Sequence, residues 1–100
     1  MPKIYEYFGL IFLFHANDHA PIHVHVRHGE TENKLEYLYK DGVLKEIKVK
    51  PVKGRKSLSS SNLKGAMKVA RARETEIARK WFEFYVKNKK LSCVKIIKKL

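Results

Sequence analysis

A chain of 100 residues is enough for one hydrophobic core and too short for two, so residues 1–100 are read as a single domain. With 44% apolar and 32% charged residues it is too apolar for a disordered chain, and its lone cysteine, Cys93, excludes an internal disulfide. The net charge of +12 is uneven: residues 1–44 carry 4 basic and 6 acidic side chains, a net of −2, whereas residues 45–100 carry 18 and 4, a net of +14. Such a second half favours anionic partners, with a solubilising lysine surface as the plain alternative.

In chain order, Pro2–Phe8 is rich in Ile, Tyr and Phe and reads as a strand. Gly9 punctuates it, and Leu10–His15 reads as a second strand buried on both faces. That apolar run is too short for a membrane span, and Glu6 interrupts any secretion signal. The expectation is therefore a cytoplasmic protein with no membrane association. A loop broken by Asn17, Asp18 and Pro21 follows. Ile22–His28 then alternates strictly, with His23, His25 and Arg27 on one face and Ile22, Val24 and Val26 on the other. His28 is expected to be exposed at the strand end.

Gly29 and Glu30 make a turn, Lys34–Lys40 a fourth strand, and Asp41-Gly42 a hairpin turn into a fifth, Val43–Val49. Pro51–Ser61 reads as a flexible basic loop, with Ser61 or Asn62 capping a helix from about Leu63 to Asn88. Leu63, Met67, Ala70, Ile77, Trp81 and Phe84 set its apolar stripe. Val94 and Ile96 suggest a short final strand, on a sheet edge guarded by lysines. The predicted fold is α+β: an antiparallel meander of about five strands, one long helix in the C-terminal half packed on it, and the short final strand.

Five histidines, His15, His19, His23, His25 and His28, fall within fourteen residues. Residues two apart on a strand share a face and can ligate one ion. His23 and His25, joined by His19, His15 or Asp18, are thus candidate ligands for a divalent transition metal such as zinc. His19, His23 and His25 are equally candidates for general acid and base on a phosphodiester. The plain reading is that they hydrogen-bond to neighbouring strands and fix the strand entry. No HExxH, paired CxxC or EF-hand spacing decides among the three.

Lys53, Arg55 and Lys56 in the loop, and Arg71, Arg73 and Arg79 on the helix, are candidate contacts for RNA, DNA or an acidic partner protein. No recognition helix, zinc finger or RNA-recognition motif is visible, so binding would be directed at the phosphate backbone. Trp81, Phe82, Phe84 and Tyr85 crowd the helix end. One helix face cannot bury all four, which leaves Phe82 and Tyr85 as a candidate docking surface.

The opening MPKIYEYFGLIFLFHANDHAPIHVHVRHGE resembles that of the domain of unknown function 4160 family, a group of small bacterial proteins. The motif is Asn17, Asp18, His19, Pro21 and the His23-Val24-His25-Val26 strand; the chain departs from it at Ala20, where a second proline is usual. The segments KWFEFYVKNKK and LSCVKIIKK look like the version found in Bacteroides-like bacteria. The resemblance implies a small cytoplasmic protein, often encoded beside another small protein, and hence one half of a toxin–antitoxin-like pair. The expected function is a partner- or nucleic-acid-binding module, the alternative a metal-dependent or histidine-based hydrolase or nuclease.

Overall fold

The computed structural model describes residues 2–15 and 21–100. Strands β1 (Lys3–Tyr7) and β2 (Leu10–Leu13) form a hairpin in which Tyr7 pairs with Leu10 across Phe8 and Gly9. Both turn residues have positive φ, 44° and 85°, the geometry a two-residue hairpin needs to match strand twist. Gly9 accepts this freely, whereas Phe8 carries the steric cost of its Cβ. Strands β3 (His23–His28), β4 (Thr31–Lys40) and β5 (Val43–Pro51) continue the meander. Asp41 and Gly42 turn the last hairpin with φ of 52° and 77°, as their identities require.

The sheet order is β5-β4-β3-β2-β1-β6. β6 (Val94–Ile96) lies parallel to β1, with Tyr7 opposite Ile96. The five-strand antiparallel meander thus becomes a six-stranded mixed sheet. A parallel neighbour needs a long crossover, and the helical segment supplies it.

The expected single helix is two: α1 (Ser60–Ala72) and α2 (Glu74–Tyr85). Ser59, rather than Ser61 or Asn62, caps α1 by accepting the Asn62 N–H at 3.2 Å. Arg73 leaves helical geometry at φ −111°, ψ 23°. No glycine or proline marks this break; tertiary contacts hold it. Tyr37 donates its hydroxyl to the Ala70 carbonyl at 2.6 Å, satisfying one of the carbonyls that a helix end leaves open. Tyr5 donates to Glu76 and Tyr39 to Glu74, both in the first turn of α2. Three tyrosines on two strands, Tyr5 on β1 and Tyr37 and Tyr39 on β4, therefore fix the junction.

These contacts also place the helices on one face of the sheet. Tyr5, Tyr7, Phe12, Val24, Val26, Leu35 and Tyr37 are buried there against Ala66, Val69, Ala70 and Ile77. The helical positions follow three-and-four spacing, and each large side chain contributes about 1.5–3 kcal/mol on burial. By strand alternation, His25, Arg27 and Glu32 belong to the opposite face. No helix among the described residues is long and apolar enough to cross a membrane.

Candidate functional site

The site is organised by a residue absent from the sequence expectations. Strand β4 begins at Thr31 rather than Lys34, because the polar run Thr31-Glu32-Asn33 pairs with the end of β3. Arg27 is register partner to Glu32, and Val26 to Asn33. Glu32 and Asn33 are buried, Glu32 at 1% exposure. Asn33 binds the returning basic loop: its amide donates to the Lys50 carbonyl and to Ser57 Oγ, and its Oδ1 accepts the Leu58 N–H at 2.8 Å. Glu32 N–H donates to the Lys56 carbonyl at 2.9 Å. The loop expected to be flexible is thereby pinned along β4, and Arg55 is brought over Glu32.

Four cationic or imidazole side chains converge on the Glu32 carboxylate. Oε1 accepts from Arg27 Nε at 3.0 Å and from Arg55 Nε at 3.2 Å. Oε2 is 2.9 Å from His15 Nε2 and 2.9 Å from His25 Nδ1. Each ring therefore presents its N–H on the side facing the carboxylate. Burial alone would raise the Glu32 carboxyl, but Arg27, through hydrogen bond and charge, and then Arg55 and His25, outweigh it. The group is held below the usual carboxylate range.

His15 and His25 stack, with ring centroids 3.7 Å apart and planes 25° from parallel. Tyr85 donates its hydroxyl to the His15 carbonyl, tying that main chain to the end of α2. His23 and His25 share a face by strand alternation, and their Nδ1 atoms meet different groups, the Pro21 carbonyl and the Glu32 carboxylate. Their rings meet edge-on with centroids 5.5 Å apart. His23 Nδ1–H donates to the Pro21 carbonyl at 2.7 Å, and its ring lies 6.0 Å from Tyr85 and 6.5 Å from Trp81. The proposed ligands His19 and Asp18 lie outside the described residues. His28 is exposed at the strand end.

Among the described residues, one set of three metal-ligating groups comes together: His15, His25 and Glu32, with ligand atoms within 4.8 Å of one another. Two features oppose an ion there. Stacked rings send their nitrogens side by side, whereas a tetrahedral ion needs lone pairs meeting at one point about 2 Å away. Two guanidinium groups on the same carboxylate also repel a cation. The arrangement suits an anion better. Arg27 and Arg55 spend Nε on Glu32, and no described residue holds their Nη groups. Both side chains are about one-third exposed, at 30% and 31%.

The remaining basic candidates are dispersed. Lys53 and Lys56 are exposed on the pinned loop. Arg71, Arg73 and Arg79 line a separate cleft of about 360 Å³ at the α1–α2 junction, together with Glu74 and Glu76. There Arg73 lies 3.7 Å from Glu76, and Arg79 pairs with Glu83 at 3.6 Å. Of the aromatic cluster, Trp81, Phe84 and Tyr85 pack against the core and Phe82 is exposed.

The family model described as Domain of unknown function (DUF4160) matches residues 9–82. The chain belongs to this family. The matched span contains His15, His25, Arg27, Glu32 and Arg55, so the whole cluster lies within the family domain. No curated protein and no solved structure matches the chain.

Proposed function

We propose that this chain is a nucleic-acid-binding module that engages the phosphate backbone through Arg27 and Arg55. The observation that carries this reading is the shared hold of Glu32 Oε1 on the two Nε atoms. A carboxylate fixed in this way sets both guanidinium planes without consuming their forked Nη donors, the groups that match phosphate oxygens. Pre-ordering lowers the entropy cost of binding. Lys53 and Lys56 on the pinned loop extend the basic surface, and the +12 net charge draws a polyanion from a distance.

Binding of single-stranded RNA and DNA, followed by fluorescence polarisation across a salt series, tests the proposal. Affinity should fall steeply and linearly with log salt, and Arg27→Gln should lower the slope by about one. A binding signal indifferent to salt would refute it. An acidic protein partner, as in a toxin–antitoxin-like pair, is the reading left if no nucleic acid binds.

A metal-dependent reading rests on the convergence of His15, His25 and Glu32. Elemental analysis of the purified protein and of its His25→Ala variant decides it. A stoichiometric metal lost in the variant would favour this reading over the anion site.

A further inference from the structure

We propose that the Glu32 cluster cleaves RNA as well as binding it, with His15 as the base that takes the proton of the ribose 2′-hydroxyl. This rests on the phosphate-binding reading and adds a reaction and a substrate class to it. His15 Nε2 is 2.9 Å from a carboxylate oxygen that can only accept, so Nε2 carries the proton and a neutral ring has its lone pair on Nδ1. Nδ1 has no partner among the described residues, and the side chain is 29% exposed. A carboxylate behind an imidazole fixes its orientation and stabilises the imidazolium formed when the ring takes a proton.

The other groups facing His15 support that role. His25 is stacked on the ring and 4% exposed, so it limits rotation. Tyr85 holds the His15 carbonyl from α2. Arg27 and Arg55 are bonded to Oε1, the other oxygen of the carboxylate that holds His15. They would face the charge that grows on phosphorus, where preorganised donors contribute most. The site offers a base and cationic donors. RNA supplies the nucleophile itself, a hydroxyl on the carbon next to the one bearing the 3′-phosphate; DNA has no such hydroxyl.

The step balances without a redox partner. The 2′-hydroxyl proton passes to His15 Nδ1, and the freed O2′ pair forms a bond to phosphorus. The P–O5′ bond breaks, its electron pair stays on O5′, and O5′ takes a proton from water. The hydroxide so formed takes the proton from His15 and restores the base. The products are a 2′,3′-cyclic phosphate and a 5′-hydroxyl end. His25 and Glu32 are positioning residues in this scheme.

The test uses the full chain in EDTA with fluorescein-labelled single-stranded RNA and with DNA of the same sequence. Product ends are read by mass spectrometry. RNA should be cut to cyclic-phosphate and 5′-hydroxyl ends while DNA is bound and left intact. In His15→Gln the amide can still donate to Glu32 but offers no base. It should bind RNA about as well as the parent and cut it at least ~100-fold more slowly. Imidazole added to His15→Ala should restore part of the rate, a response that a structural role would not give. RNA bound and left intact by the parent overturns the cleavage proposal alone, as does His15→Gln cutting at the parental rate. Ends bearing 3′-hydroxyl and 5′-phosphate overturn it too. RNA neither bound nor cut overturns the binding reading with it.

Discussion

Glu32 shows how much one side chain can decide. It is 1% exposed, ionised and bonded to Arg27, Arg55, His15 and His25. Replacing it by glutamine leaves two guanidinium groups sharing a neutral amide oxygen. The arginines retain partial contact with solvent, so the expected cost is on the order of 2–3 kcal/mol rather than that of a fully buried pair. The pH dependence has a definite sign. Because the folded carboxyl sits below the unfolded value of about 4.5, its stabilisation is complete above that pH. It is lost as pH falls through the folded value. Urea unfolding from pH 7 to pH 3 should therefore show the gap between the parent and Glu32→Gln narrowing below about pH 4.5. A constant gap across that range would mean that the carboxylate charge contributes nothing.

At the scale of elements, the tyrosines of the helix-facing side hold the sheet to the α1–α2 junction. Burial, and for Tyr5 and Tyr39 the neighbouring glutamates, push their hydroxyls up; Tyr39 reaches about 12, while Tyr5 and Tyr37 rise well above the ordinary range. A raised folded value means that the stabilisation is whole below about pH 10 and drains away as pH climbs above it. Tyr37→Phe removes the donor from the Ala70 carbonyl and should cost about 1–2 kcal/mol near neutrality. The variant should also lose less of its remaining stability between pH 9 and pH 11 than the parent. Thermal melts over that interval check both effects. The same contacts explain why α1 and α2 are separate. Apolar spacing runs on from Ala70 to Ile77, so periodicity alone joins them. Only the positions of Tyr5, Tyr37 and Tyr39 on the sheet reveal the break at Arg73.

For the whole molecule, charge and topology act together. The basic loop belongs to the +14 second half, and Asn33 brings it across to β4 in the acidic first half. Arg55 thus spends part of its charge on Glu32, while Lys53 and Lys56 remain in solvent. Replacing both lysines by glutamine should leave stability within about 0.5 kcal/mol of the parent and lower the salt slope of RNA binding by up to about two. An unchanged slope would move the binding surface elsewhere, for example to the arginine cleft at the α1–α2 junction.

The sequence by itself determined the parts whose signal is local. Strict alternation marked β3, Asp41-Gly42 marked the β4–β5 hairpin, and Val94 and Ile96 marked the last strand. The density of histidines pointed to the neighbourhood in which His15 and His25 meet Glu32. It also suggested pairing His23 with His25, because residues two apart on a strand share a face. Tertiary structure gives the Nδ1 atoms of the two rings different partners. Sharing a face fixes the side a ring points to, and not the partner it meets: Pro21 takes His23, while His15 from β2's end and Glu32 from β4 take His25. Glu32 was hidden because a glutamate in a polar run reads as a turn until strand register sets it opposite Arg27. Its burial depends on Arg55, 23 residues away, and on His15, 17 residues away. Such convergence depends on how distant segments are brought together, which no short window of sequence contains.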